Sequence, residues 1–180
     1  MRRAEWEHVI AAAADVSGEV EIVVVGSQAI LGSVPDPPES LLRSMEVDLY
    51  PRAAPDKADL IDGALGDGSR FQQSYGYYAH GVGPQTAKPP AGWEQRLVEV
   101  RLDARVPSAP RAVALCLEPH DLILAKCLAN RDRDWEFARD ALAAGIVRLE
   151  VLLDRVALLP TDPSRQEAIR TRLVGLRQPG

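Results

Sequence analysis

Hydrophobic residues follow two different patterns along the first half of the chain. From Trp6 onward they lie at helical spacing, which predicts a helix over residues 4–16. Residues 19–25 are rich in β-branched side chains and are followed by Gly26, which predicts a central strand. The same criteria predict helices over residues 27–31 and 56–65 and strands over residues 45–50, 97–102 and 112–117.

A glycine-rich segment separates these strands. Residues 63–83 contain six glycines with aromatic residues between them, and we interpret the segment as a loop with tight turns. Two roles are open for Tyr75, Tyr77, Tyr78 and His80. They could pack the loop onto its own domain, or they could stack a base and shape a channel for a second substrate.

Helix-forming residues dominate from Glu118 onward, and four helices are predicted between there and residue 176. The chain is therefore expected to divide near residue 117. The predicted class is α+β. It has a small mixed β-sheet flanked by helices in residues 1–117, followed by a C-terminal helical lobe in residues 118–180.

Composition narrows the class of protein. The chain has 180 residues, 46% of them hydrophobic and 26% charged, which is typical of a soluble globular protein. Its net charge of −5 argues against a protein that coats nucleic acid. Because no apolar run could span a membrane and acids occupy the N-terminal segment, we expect a cytoplasmic protein with no membrane partner. Cys116 and Cys127 lack metal-ligand spacing and are interpreted as buried free thiols, with no zinc site.

The first group of residues with chemical potential surrounds the predicted central strand. Gly26-Ser27 follows this strand, and a turn without a Cβ exposes backbone N–H groups and a hydroxyl to phosphate oxygens. Glu46 and Asp48 are two apart on the next strand, so both side chains point to one face. Paired carboxylates suit Mg²⁺. A plain strand-end turn and a solvated edge remain the alternative interpretations.

The second group lies on the first helix after residue 117. Lys126 interrupts an apolar helical face, and Asn130, Arg131 and Asp134 follow within two turns. Lysine as a mobile charge and arginine as a rigid fork are the usual means of neutralising a triphosphate. Alternatively, Lys126 only extends its ammonium group from an apolar face to water.

Taken in order, these motifs resemble the DNA polymerase beta-like nucleotidyltransferase superfamily, in particular small bacterial enzymes of abortive-infection and toxin–antitoxin systems. The resemblance covers about residues 20–145. It is carried by the following segments: Gly26-Ser27-Gln28-Ala29, Ser44-Met45-Glu46-Val47-Asp48, Gly76-Tyr77-Tyr78 and the Lys-x-Leu-Ala-x-Arg-x-x-Asp segment of residues 126–134.

The resemblance implies an NTP donor and a nucleotidyltransferase core in residues 1–117. Ser27 would contact the β- or γ-phosphate, Glu46 and Asp48 would bind Mg²⁺ or Mn²⁺, and Lys126 would hold the triphosphate. The implied acceptor is tRNA or a protein, and the implied partner is a cognate antitoxin. Arginine and aspartate at positions 131 and 134 would complete the pocket wall.

The sequence departs from the superfamily pattern in two places. Glu46 is one methylene longer than the usual aspartate. In addition, residues 35–44 lengthen the spacing between the Gly-Ser pair and the acids, so this insertion must loop out or form its own helix.

A third carboxylate often acts as general base on a neighbouring strand of these enzymes. Glu99 and Asp103 are candidates by position, although a solvated strand face also explains both. Without such a base, the chain would be a degenerate member of the fold that acts as a nucleotide-binding or protein-interaction module. A further alternative is an RNA-binding adaptor that uses arginines of the last helix, namely Arg165, Arg170, Arg172 and Arg177.

Overall fold

The computed structural model of the protein describes residues 1–102 and 112–176. Within these ranges the α-helices are α1 (Arg3–Ser17), α2 (Ile30–Ser33), α3 (Ala58–Leu65), α4 (Arg70–Tyr75), α5 (Pro119–Ala129), α6 (Asp132–Ala143), α7 (Leu149–Arg155) and α8 (Pro163–Gly175). The strands are β1 (Glu21–Val24), β2 (Glu46–Pro51), β3 (Tyr78–Gly81), β4 (Val98–Arg101) and β5 (Val113–Cys116).

The strands form one mixed sheet in the order β3-β2-β1-β5-β4, with β1 at its centre as predicted. Strand β1 runs antiparallel to β2 and parallel to β5, while β2 and β3 are parallel to each other. Strand β4 completes the sheet at its other edge, antiparallel to β5. The predicted α+β class is confirmed.

Side-chain alternation along β2 orients the two predicted acids. Val47 and Leu49 are fully buried, whereas Glu46 and Asp48 between and beside them are half-buried. Successive side chains on a strand point to opposite faces of the sheet, so burial of the valine and leucine turns both carboxylates toward the other face. This packing therefore fixes the direction of the acids.

The prediction of a loop over residues 63–83 is wrong. This segment contains helix α4 and the edge strand β3. The Ser69 hydroxyl accepts a hydrogen bond from the backbone N–H of Gln72 and caps α4, and Gly76 ends the helix at a φ of 79°. Strand β3 then forms because its backbone pairs with β2, a contact distant in sequence.

Some of the aromatic side chains of this segment pack against helix α1. Phe71, Tyr75 and Tyr77 surround His8 of α1, and the Tyr77 hydroxyl lies 2.8 Å from Nδ1 of His8. The packing role is thus confirmed for Tyr75 and Tyr77. Tyr78 and His80 lie elsewhere, as described below.

The C-terminal helices share the core of the sheet. One continuous set of buried apolar side chains extends from Trp6 of α1 to Leu173 of α8. The division near residue 117 stays a prediction. Cys116 and Cys127 are free and buried, as predicted, and burial raises the pKa of each thiol to about 12. None of the helices in the described ranges has the length and apolar character needed to cross a membrane.

A network of ion pairs anchors the start of α5. Glu118 caps this helix through the backbone N–H groups of His120 and Asp121. Arg155 of α7 donates to Glu118 at 2.6 Å and to the fully buried Asp121 at 2.9 Å, and Arg96 donates to Asp121 at 2.7 Å. The network thereby ties α5 to α7 and to the segment before β4.

This network predicts how stability changes with pH. Burial alone would raise the pKa of Glu118, but hydrogen bonds from His120 and Arg155 outweigh it and lower the pKa from 4.5 to about 2. The ionised group therefore stabilises the fold above about pH 4.5, and this contribution disappears as the pH falls toward 2. We expect Glu118→Gln to lower the free energy of unfolding by about 1–2 kcal/mol near neutral pH, allowing for partial solvent screening.

Urea denaturation of wild type and Glu118→Gln across this pH range measures the difference. The two proteins should converge in stability as the pH falls, and a difference that stays constant would contradict the prediction. Glu150→Gln, at an exposed position of α7, controls for removing one negative charge.

Candidate active site

A cleft of about 770 Å³ opens between one end of the sheet and helices α5 and α6. The structure brings together here six of the residues predicted to bind the NTP or the metal ion. They are Gly26, Ser27, Glu46, Asp48, Lys126 and Arg131. The insertion over residues 35–44 forms a short 3-10 helix (Glu39–Leu41) that is anchored by buried Leu41 and lines the same cleft.

Gly26 is required by the close approach of β1 to Asp48. The backbone N–H of Val25 donates to the carbonyl oxygen of Asp48 at 3.0 Å, which extends the strand pairing to the cleft. A Cβ placed on Gly26 would overlap the Asp48 carboxylate, lying 2.7 Å from its Cγ. Only glycine fits at this position without displacing the acid.

Glu46 and Asp48 form a pair of carboxylates on the cleft side of β2. The pKa of Asp48 is raised chiefly by burial and further by the negative charge of Glu46, while a hydrogen bond with His80 opposes the shift. A divalent cation would relieve both unfavourable effects, because it neutralises the charge of the pair. The residues therefore fit a hard, oxygen-preferring ion such as Mg²⁺.

The described ranges contain no cluster of three or more His, Cys, Asp or Glu side chains arranged around a metal position. Two protein carboxylates with waters and substrate phosphate oxygens are the ligand set that Mg²⁺ commonly accepts. A cation held by Glu46 and Asp48 would thus need phosphate or water to complete its coordination.

Lys126 enters the cleft from α5. Its side chain is only 16% exposed, its ammonium lies 3.3 Å from Asp134, and it sits 4.7 Å from the centre of the Phe137 ring. Burial lowers the pKa of Lys126, and the charge of Asp134 opposes this shift. The contacts therefore hold the Lys126 ammonium in the cleft, and they argue against the alternative that this side chain only extends its ammonium group to water.

Asp134 does not line the cleft but lies fully buried behind it. It accepts hydrogen bonds from Nε of Arg131 at 2.7 Å and from Lys126. Burial alone would raise the pKa of Asp134, but the contacts with Arg131 and Lys126 outweigh it and lower the pKa. Asp134 thus orients two cations and would not itself touch a ligand.

The sequence nominated Tyr78 and His80 for base stacking or an acceptor channel, but not for contact with the acids. The Tyr78 hydroxyl donates to Oε2 of Glu46 at 2.9 Å, and Nδ1 of His80 lies 2.8 Å from Oδ1 of Asp48. A period of two in Tyr78-Ala79-His80, matching Glu46-Val47-Asp48, was the available signal. The cleft also contains Arg43 and Arg133, which no motif singled out.

The structure does not bring Glu99 to the cleft. This residue lies on edge strand β4, is about half exposed, and pairs with Arg101 at 2.7 Å. The geometry therefore gives no support to Glu99 as general base. The other candidate, Asp103, lies outside the described residues.

The arginines of α8 that were considered for RNA binding are engaged within the protein. Arg172 stacks on Trp135 at 4.3 Å, Arg170 donates to the carbonyl oxygen of Leu153, and Arg165 donates to a carbonyl oxygen of α5. These contacts explain the side chains by packing and give no support to an RNA-binding adaptor. Arg177 lies outside the described residues.

Comparison with known proteins gives a family and no individual relative. Neither the curated proteins nor the solved structures contain a match to this chain. A family model described as "Nucleotidyltransferase of unknown function (DUF6036)" matches residues 5–168, a range that includes all of the cleft residues named above. The chain therefore belongs to this nucleotidyltransferase family.

Proposed function

We propose that the protein is an Mg²⁺-dependent nucleotidyltransferase that moves NMP from an NTP to an acceptor, either an RNA such as tRNA or a protein. The observation that carries this proposal is the paired Glu46 and Asp48 carboxylates in a cleft whose other wall presents Lys126 and Arg131. Nucleotidyl transfer requires carboxylates that can bind a metal ion and, facing them, basic side chains that can bind a triphosphate.

The proposed chemistry is positioning combined with charge neutralisation. Lys126 and Arg131 bind phosphate oxygens of the NTP, and Gly26-Ser27 lets the donor approach the end of β1 closely. Glu46 and Asp48 would hold Mg²⁺, which supplies positive charge to the phosphates when bound. An acceptor oxygen then bonds to the α-phosphorus while the bond to the pyrophosphate oxygen breaks; pyrophosphate leaves, and the acceptor hydroxyl gives its proton to water.

The resemblance to toxin–antitoxin enzymes extends the proposal to a cytoplasmic toxin with a cognate antitoxin. The cleft itself supports only the transfer chemistry, since similar pockets serve many acceptors.

A second candidate function is a nucleotide-binding module without transferase activity. Two observations favour it: the residue paired with Asp48 on the neighbouring strand is His80, and the nominated third carboxylate, Glu99, is not at the cleft. Such a module would bind NTP but release no pyrophosphate.

Calorimetric titration with each NTP, with and without Mg²⁺, tests the donor site. We expect Mg²⁺-dependent binding that weakens about 10- to 100-fold in Lys126→Met, because the variant loses a charge-assisted hydrogen bond to phosphate but keeps an unbranched side chain of similar length. Lys57→Ala removes a lysine that pairs with Glu19 outside the cleft and should bind as wild type does.

Failure of folded wild type to bind any NTP would overturn the proposal. Binding without pyrophosphate release in the presence of total tRNA and total protein would select the module instead.

A further inference from the structure

Strand β3 aligns two polar side chains directly with the candidate metal-binding acids. In the parallel pairing of β2 with β3, Glu46 lies opposite Tyr78 and Asp48 lies opposite His80. The intervening pair, Val47 and Ala79, is fully buried on the other face of the sheet. All four polar side chains consequently share the face that lines the cleft.

Each acid receives one hydrogen bond from its neighbour on β3. The Tyr78 hydroxyl donates to Oε2 of Glu46 at 2.9 Å. His80 contacts Oδ1 of Asp48 through Nδ1, while Gly26 leaves room for the same carboxylate on another side. A carboxylate oxygen with one donor still has a lone pair free for a cation.

We propose that Tyr78 and His80 are positioning residues that hold the Glu46 and Asp48 carboxylates in the orientation in which the pair binds a divalent cation. This inference rests on the proposed function, because it presumes that the acids bind a metal. The alternative of His80 as a third metal ligand has less support, since the described residues form no three-ligand cluster. Hydrogen bonds to metal-binding groups typically change metal affinity 10- to 100-fold.

If Tyr78 and His80 act through their hydrogen bonds to the acids, substitutions that keep those bonds should be tolerated. Asn places an amide N–H near the position of Nδ1, so His80→Asn should keep the hydrogen bond to Asp48, whereas His80→Ala loses it. Tyr78→Phe loses only a hydroxyl. Tyr77→Phe is a matched control, because its hydroxyl bonds to His8 in the aromatic cluster away from the cleft.

Binding of Mn²⁺ to the full-length protein provides the test, with free Mn²⁺ followed by its paramagnetic resonance signal and no turnover required. We expect Mn²⁺ affinity to fall about 10- to 100-fold in Tyr78→Phe and His80→Ala. Affinity should stay within about threefold of wild type in His80→Asn and Tyr77→Phe. Thermal denaturation confirms that each variant is folded. If His80→Ala does not fold, Tyr78→Phe still tests the positioning role, because it removes only a hydroxyl.

The outcomes distinguish failure of the positioning role from failure of the proposed function. Equal Mn²⁺ affinity in wild type, Tyr78→Phe and His80→Ala would overturn the positioning role and leave the proposed function intact. Equal losses in His80→Asn and His80→Ala would also overturn that role for His80, because the amide donor would then have no effect. Absence of Mn²⁺ binding by wild type, with and without ATP, would overturn the proposed function and this inference together.

Discussion

Asp48→Asn is expected to reduce nucleotidyl transfer about 10³-fold or more while leaving the protein at least as stable as wild type. The loss follows because a neutral amide no longer compensates the charge of a divalent cation, whose contribution to phosphoryl-transfer catalysis is several kcal/mol. The stability follows from the raised pKa of Asp48, which means that folding disfavours its ionised form. Above the folded pKa this penalty is present, and an uncharged asparagine of the same shape removes it.

The opposite directions of the two effects make this prediction specific. Transfer is measured with α-phosphate-labelled NTP offered to total tRNA and total protein, and stability is measured by thermal denaturation. Glu99→Gln is the matched control, since this acid lies outside the cleft and pairs with Arg101. Transfer retained by Asp48→Asn would remove Asp48 from the site, and loss of both transfer and folding would assign it a structural role.

The sequence was sufficient to predict the orientation of the two acids. The apolar residues Val47 and Leu49 alternate with Glu46 and Asp48, and burial of one set determines the direction of the other. The central position of β1 was also predictable, because an uninterrupted β-branched run must be covered on both sides. Both features depend on residues that are neighbours in the chain.

The features that the sequence could not predict depend on contacts between distant segments. Strand β3 contains a glycine and borders a helix of six residues, so local propensity favours a loop, and only pairing with β2 makes it a strand. Alternation places Glu99 on one face of β4 but does not indicate which strand lies beside it. Because β5 and β1 separate β4 from β2, this carboxylate is remote from Asp48.

The largest effect on stability is expected from Asp134→Ala. Asp134 is fully buried, caps the start of α6 and accepts hydrogen bonds from Lys126 and Arg131. Its removal leaves the mostly buried ammonium of Lys126 without its partner, and breaking a buried pair in this way typically costs about 3–5 kcal/mol. For a chain of this size the melting temperature should fall by about 10 °C.

A double-mutant cycle separates this cause from simple loss of packing. If the unpaired charge of Lys126 dominates the cost, then Asp134→Ala should be much less destabilising in the Lys126→Met background, with a coupling free energy of about 1–3 kcal/mol. Arg131→Ala should be less destabilising than Asp134→Ala, because the arginine side chain is more than half exposed and Lys126 remains as a partner for Asp134. Additive effects of Asp134→Ala and Lys126→Met would instead attribute the role of Asp134 to capping of α6. The cycle therefore measures how much the contact between Asp134 and Lys126 contributes to the free energy of folding. This is the contact that orients the cation that we propose binds the triphosphate.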